Sequence, residues 1–91
     1  MAVRVRLAGT LKSVAGGKGE VEAAGGSLKA IIESLDRAFP GFGGKVLGSD
    51  GALKQSVVVH VNGTEARQLA GVDTAVAETD EVLISIPLAG G

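Results

Sequence analysis

The 91 residues include 15 glycines and no cysteine, and nine Lys and Arg against ten Asp and Glu give a formal charge of −1. Without cysteine there is no disulfide framework, Fe–S cluster, thiolate zinc site or thiol nucleophile, and one histidine with no tyrosine or tryptophan narrows the catalytic inventory further. Neither sign of charge gathers into a block, Arg4 and Arg6 interrupt the apolar N-terminus, and no uncharged apolar run approaches the roughly 20 residues that span a bilayer. The expectation is a soluble, cytoplasmic, single domain over residues 1–91 with one modest core, binding neither nucleic acid nor membrane.

Val3, Val5 and Leu7 alternate with Arg4, Arg6 and Ala8, the period of a strand with one wet face. Past a glycine-rich loop, Glu20 to Ala23 alternates again, which predicts a first hairpin across residues 2–24. The period then changes. Leu28, Ile31, Ile32, Leu35 and Phe39 form one stripe of an amphipathic helix, with Ser27 as its N-cap and Pro40-Gly41 as its stop. Residues 40–56 carry five glycines and read as a long loop with a helical turn near Lys45 to Leu47.

Val57 to Val61 is β-branched but for His60 and reads as a central strand, with Val57, Val59 and Val61 on one face and Val58 and His60 on the other. Asn62-Gly63 is a hairpin-turn signal, Glu65 to Gln68 the expected return strand, and Leu69 to Ala77 an irregular connection. Val82, Ile84 and Ile86 alternate with Leu83, Ser85 and Pro87 in the last strand, where Pro87 cannot donate to a ladder. Strand, strand, helix, long loop, strand, short strand, strand is the element order of the α+β β-grasp, or ubiquitin-like, fold. The expected architecture is a mixed sheet of four to five strands covered by one main helix, and analogy with the fold places the first and last strands side by side in parallel at its centre.

After Pro87 the chain reads Leu88-Ala89-Gly90-Gly91, an expected flexible tail whose reactive group is the carboxylate of Gly91. Lacking Cβ atoms, Gly90 and Gly91 can be drawn into a narrow active-site channel. A free carboxylate is a poor electrophile, so acyl chemistry at Gly91 requires activation, most simply as an acyl-adenylate made from ATP by a partner. A terminal Gly-Gly is weak evidence alone, and its position three residues beyond a strand-ending proline gives it weight.

The segment Val59-His60-Val61-Asn62-Gly63-Thr64-Glu65-Ala66-Arg67, then Thr74, Asp80-Glu81-Val82 and Ile86-Pro87-Leu88-Ala89-Gly90-Gly91, resembles the C-terminal half of the MoaD/ThiS family of small sulfur-carrier proteins. The resemblance covers about residues 57–91, and the long loop before Val57 is similar to that of MoaD-like or CysO-like members. One departure is Thr79, where the family commonly has glycine before Asp-Glu-Val, which puts the geometry of that turn in question.

The resemblance implies a carrier and not an enzyme, acting as a protein cosubstrate or as the small subunit of a sulfur-transferring complex. An E1-like adenylyltransferase (MoeB/ThiF-type) would activate Gly91, a sulfur source would convert it to a thiocarboxylate, and an acceptor would take the sulfur. That acceptor would be a molybdopterin synthase large subunit or a cysteine-synthase-like enzyme. No bound cofactor or metal is expected, and ATP is consumed by the activating partner. Other readings are a ubiquitin-like modifier joined to lysines through Gly91, and a β-grasp binding module with an inert tail.

Val58, His60 and Leu83, with Leu88, are expected to form an outer-face apolar patch that docks the activating enzyme; burial beneath the long loop is the competing reading. Arg67 and Pro87 complete the candidate docking set, Arg67 because it matches the family's arginine, although a solvated charge near a turn accounts for it too. His60 is read as part of that sheet face and not as a catalytic or metal-binding group. The glycine-rich stretches lack the lysine and hydroxyl spacing of a phosphate loop.

Overall fold

The computed structural model describes residues 2–86. In chain order these form β1 (Ala2–Gly9), α1 (Leu11–Val14), β2 (Glu20–Ala24), β3 (Gly26–Ser27), α2 (Leu28–Ala38), α3 (Phe42–Val46), β4 (Val58–Val61), β5 (Thr64–Glu65), β6 (Ala75–Val76) and β7 (Val82–Ile86). Five strands make one mixed sheet in the order β2-β1-β7-β4-β5, and β3 pairs with β6 apart from it. The first and last strands are parallel central neighbours, Val5 opposite Val82 through Gly9 opposite Ile86, as the β-grasp analogy expects.

Alternation builds the core directly. Val3, Val5 and Leu7 of β1, Val21 and Ala23 of β2, Val59 and Val61 of β4, and Val82 and Ile84 of β7 all face inward and are buried. Against them lies the α2 stripe of Leu28, Ile31, Ile32 and Leu35, all buried. The Ser27 hydroxyl accepts from the Ala30 N–H at 3.1 Å, capping the helix as the sequence predicts. The helix ends before Pro40 with Phe39 half-buried at its C-terminus.

Four local expectations change. The loop of the first hairpin contains α1, whose Leu11 is buried. The long loop contains α3 over Phe42–Val46, earlier in the chain than the expected turn near Lys45, because Phe42 and Val46 fill the core beside α2. The return strand is only Thr64–Glu65, and Ala66–Gln68 is a 3₁₀ turn that buries Ala66. Within Leu69 to Ala77, the short strand Ala75–Val76 reaches back to Gly26–Ser27, so the connection is less irregular than expected. Each piece is too short to carry a period of its own, and its conformation is set by what it packs against.

No helix among the described residues is long and apolar enough to cross a membrane. The tail from Pro87 to Gly91, which includes the expected end of pairing at Pro87, lies outside the described residues.

Candidate functional site

The sheet has one face against α2 and one face open. Because β-strand side chains alternate, the register fixes the outer rows: Glu20, Arg6, Leu83, His60 and Glu65 lie across five strands in one row, and Ala8, Ser85 and Val58 across three in the next. Val58, His60, Leu83, Ser85 and Ala8 are half-buried. The predicted patch of Val58, His60 and Leu83 is thus brought together on one face, whereas Leu88 and Pro87 lie outside the described residues.

The patch has a charged margin. Arg4 and Arg6 both approach Glu20, at 3.8 and 3.9 Å, with their side chains largely in solvent, so each pair is worth little to stability. Arg6, His60, Leu83 and Glu81 line a shallow hollow of about 220 Å³ at the edge of the patch. Among the described residues no three His, Asp or Glu side chains converge as metal ligands, and His60 is a surface residue of the sheet.

The last strand lies at the middle of the sheet, and its final described residue, Ile86, follows immediately upon Ser85 of the patch. The sequence that follows Ile86 is Pro87-Leu88-Ala89-Gly90-Gly91. The candidate docking face and the candidate reactive terminus are therefore joined through one central strand.

Arg67 does something the sequence did not reveal. One guanidinium N–H group donates to the Val57 carbonyl at 2.8 Å, another donates to the Lys54 carbonyl, and Glu65 lies 3.4 Å away. The side chain clamps the loop that enters β4, a structural task that the sequence reading does not include. Its partners are main-chain atoms, which no side-chain motif could disclose.

The turn before β7 also has its own device. Asn62 donates from Nδ2 to Asp80 at 3.1 Å and accepts the Glu81 N–H at 2.9 Å, while Asp80 accepts the Ala77 N–H at 2.8 Å. The Asn62-Gly63 hairpin turn has φ of 53° and 83° at its two central residues, the left-handed pair that a two-residue turn requires. Asn62 is the only non-glycine with positive φ among the described residues, so Thr79 needs no glycine-like geometry: the Asp80 carboxylate organises that turn.

The Ala77 N–H first, then the Asn62 amide, hold the Asp80 carboxyl below its ordinary pKa of 3.8. A depressed folded pKa gives stabilisation that is complete above the unfolded value and lost as pH falls through the folded one. Urea titrations between about pH 5 and pH 2 are expected to show a shallower loss of stability for Asp80→Asn than for the wild type. Identical slopes would remove Asp80 from the acid response.

A mixed sheet with parallel central first and last strands, one covering helix and an open outer face defines a ubiquitin-like β-grasp protein. The ThiS family model matches residues 5–91, and the chain belongs to that family of small sulfur carriers. It is 33% identical over 93 residues to the sulfur carrier protein CysO of Mycobacterium tuberculosis, covering all of both chains. In the crystal structure of the Amycolatopsis orientalis BexX/CysO complex, one chain superposes with a TM-score of 0.88 at 29% identity, covering 99% of this chain and all of that one. SAMP1 of Haloferax volcanii superposes with a TM-score of 0.82 at 26% identity over the full length of both.

Proposed function

We propose that this carrier holds sulfur as a thiocarboxylate on Gly91. An E1-like adenylyltransferase of the MoeB/ThiF type joins the Gly91 carboxylate to AMP from ATP with release of pyrophosphate. A sulfide equivalent then attacks the acyl carbon and expels AMP, leaving a C–S bond where a C–O bond had been. The partner supplies ATP and the catalytic groups, in keeping with a chain that has no thiol and one histidine. The observation that carries the reading is the family match through residue 91, together with a central last strand that leads into Gly90-Gly91.

For the acceptor, we favour a cysteine-synthase-like enzyme over a molybdopterin synthase large subunit. Full-length similarity to a carrier named CysO supports that choice. Intact mass spectrometry after incubation with an E1-like enzyme, ATP and sulfide is expected to show a gain equal to sulfur minus oxygen, abolished by deleting Gly91. An unchanged mass with a competent enzyme would sink the proposal.

The likeness to SAMP1, a small archaeal modifier protein, supports a second reading as a protein modifier. Isopeptide bonds from Gly91 to target lysines, seen as mass-shifted bands, would favour it.

The outer patch of Val58, His60 and Leu83 is the proposed dock for the activating enzyme. Leu83→Glu is expected to raise KM for adenylation about tenfold, equivalent to about 1.4 kcal/mol, with kcat near wild type. An unaltered KM in a folded variant would move the dock elsewhere.

A further inference from the structure

We propose that Gly9 and Thr10 are positioning residues for the carrier chemistry. They hold the Ile86 carbonyl and so fix the point from which the last five residues reach toward a partner. The inference rests on the reading of Gly91 above, and its basis is the corner where β1 ends.

Gly9 is the last residue of the parallel pairing with β7 and stands opposite Ile86. Its φ is +69°, and a Cβ added there would lie 2.0 Å from the Ile86 carbonyl oxygen and 2.9 Å from its carbon. Those are backbone atoms of a central strand, which cannot swing aside as a side-chain tip can. The left-handed turn at Gly9 also brings the Thr10 N–H onto the same carbonyl, in a long hydrogen bond of 3.4 Å. Glycine and the following amide thus meet the final described residue of β7 from two directions.

One residue earlier, Ser85 pairs with Ala8 on one side and Val58 on the other. The fixed carbonyl is therefore adjacent to the proposed dock. Five residues extend at most about 18 Å, so an enzyme seated on the dock meets Gly91 within a bounded span whose origin is Ile86. Displacing a reacting group by about 1 Å can cost about a hundredfold in rate. A side chain at position 9 would push Ile86 away and release the last pair of the ladder, making the origin of the span indefinite while the dock stays in place.

The test is a tail-length cycle, read as pyrophosphate release with an E1-like adenylyltransferase and ATP. Gly9→Ala is expected to lower kcat about tenfold with KM unchanged, and deletion of Ala89, which shortens the span by about 3.5 Å, to lower it about a hundredfold. Combined, the two should cost clearly less than their product, because a released Ile86 restores the missing reach. Thr10→Pro is the second variant: Thr10 has φ −68°, already that of proline, so the backbone accepts the ring, which removes the N–H donor and sets its Cδ where that hydrogen met the Ile86 carbonyl, displacing the carbonyl through a different atom. It should lower kcat severalfold, and it serves as the test if Gly9→Ala does not fold.

Multiplicative losses in the double variant, or a folded Thr10→Pro protein with wild-type kcat, would overturn the positioning role and leave the Gly91 reading intact. Wild-type protein that releases no pyrophosphate would overturn the Gly91 reading, and the positioning role with it.

Discussion

Phe42→Ala is expected to destabilise the protein by about 3–5 kcal/mol, read from urea or thermal unfolding. Phe42 is the largest fully buried side chain among the described residues and opens α3 in a stretch otherwise made of glycine, lysine and valine. The cost of truncating a core residue combines lost transfer free energy with a cavity term that depends on how far the surroundings collapse. Here collapse is hindered. Gly43 and Gly44 follow immediately with no side chains to move in, and the Gly43 N–H is tied to Asp36 of α2 at 2.8 Å. Since small domains are stable by only about 5–15 kcal/mol, such a loss would leave a measurable unfolded fraction. A loss below about 1.5 kcal/mol would show that the long loop is not anchored by this residue.

Arg67→Ala is expected to cost about 2–3 kcal/mol, because hydrogen bonds from a charged donor are stronger than neutral ones, and the Val57 carbonyl would lose this donor while the Lys54 carbonyl would keep only the Val57 N–H. The side chain is 36% exposed, and its main-chain carbonyl acceptors separate this clamp from an ordinary surface ion pair. Arg67→Lys should recover only part of the loss, since one ammonium cannot reproduce the planar fork that reaches two carbonyls. Amide exchange should accelerate locally at Val57, whose N–H donates to the Lys54 carbonyl at 3.0 Å. Were Arg67 instead a docking residue, the alanine variant would keep its stability and raise KM for the activating enzyme.

These two residues show the limit of reading the chain alone. The helix over Leu28–Ala38, the alternation in β1 and β7 and the Asn62-Gly63 turn were legible because each is encoded by neighbours within a few residues. The patch of Val58, His60 and Leu83 was legible as well, since alternation places residues on faces before their partners are known. The short pieces were not. Two residues at Gly26–Ser27 and two at Ala75–Val76 have no period to detect, and only the fold makes them partners.

The sequence by itself determined the β-grasp order of elements, the inward set of Val, Leu and Ile, and the Gly90-Gly91 ending on which the proposed chemistry depends. These follow from periodicity and covalent order, which require no knowledge of distant contacts. The tertiary structure decided that Arg67 clamps a loop, that Asn62 and Asp80 tie two turns together, and that Gly9 must lack a side chain because the Ile86 carbonyl occupies its space. In each case the deciding partner is distant in sequence or is a main-chain atom, and neither leaves a signature in residue types. Only folding brings the start of the first strand's turn against the end of the last strand, at the place from which the tail begins.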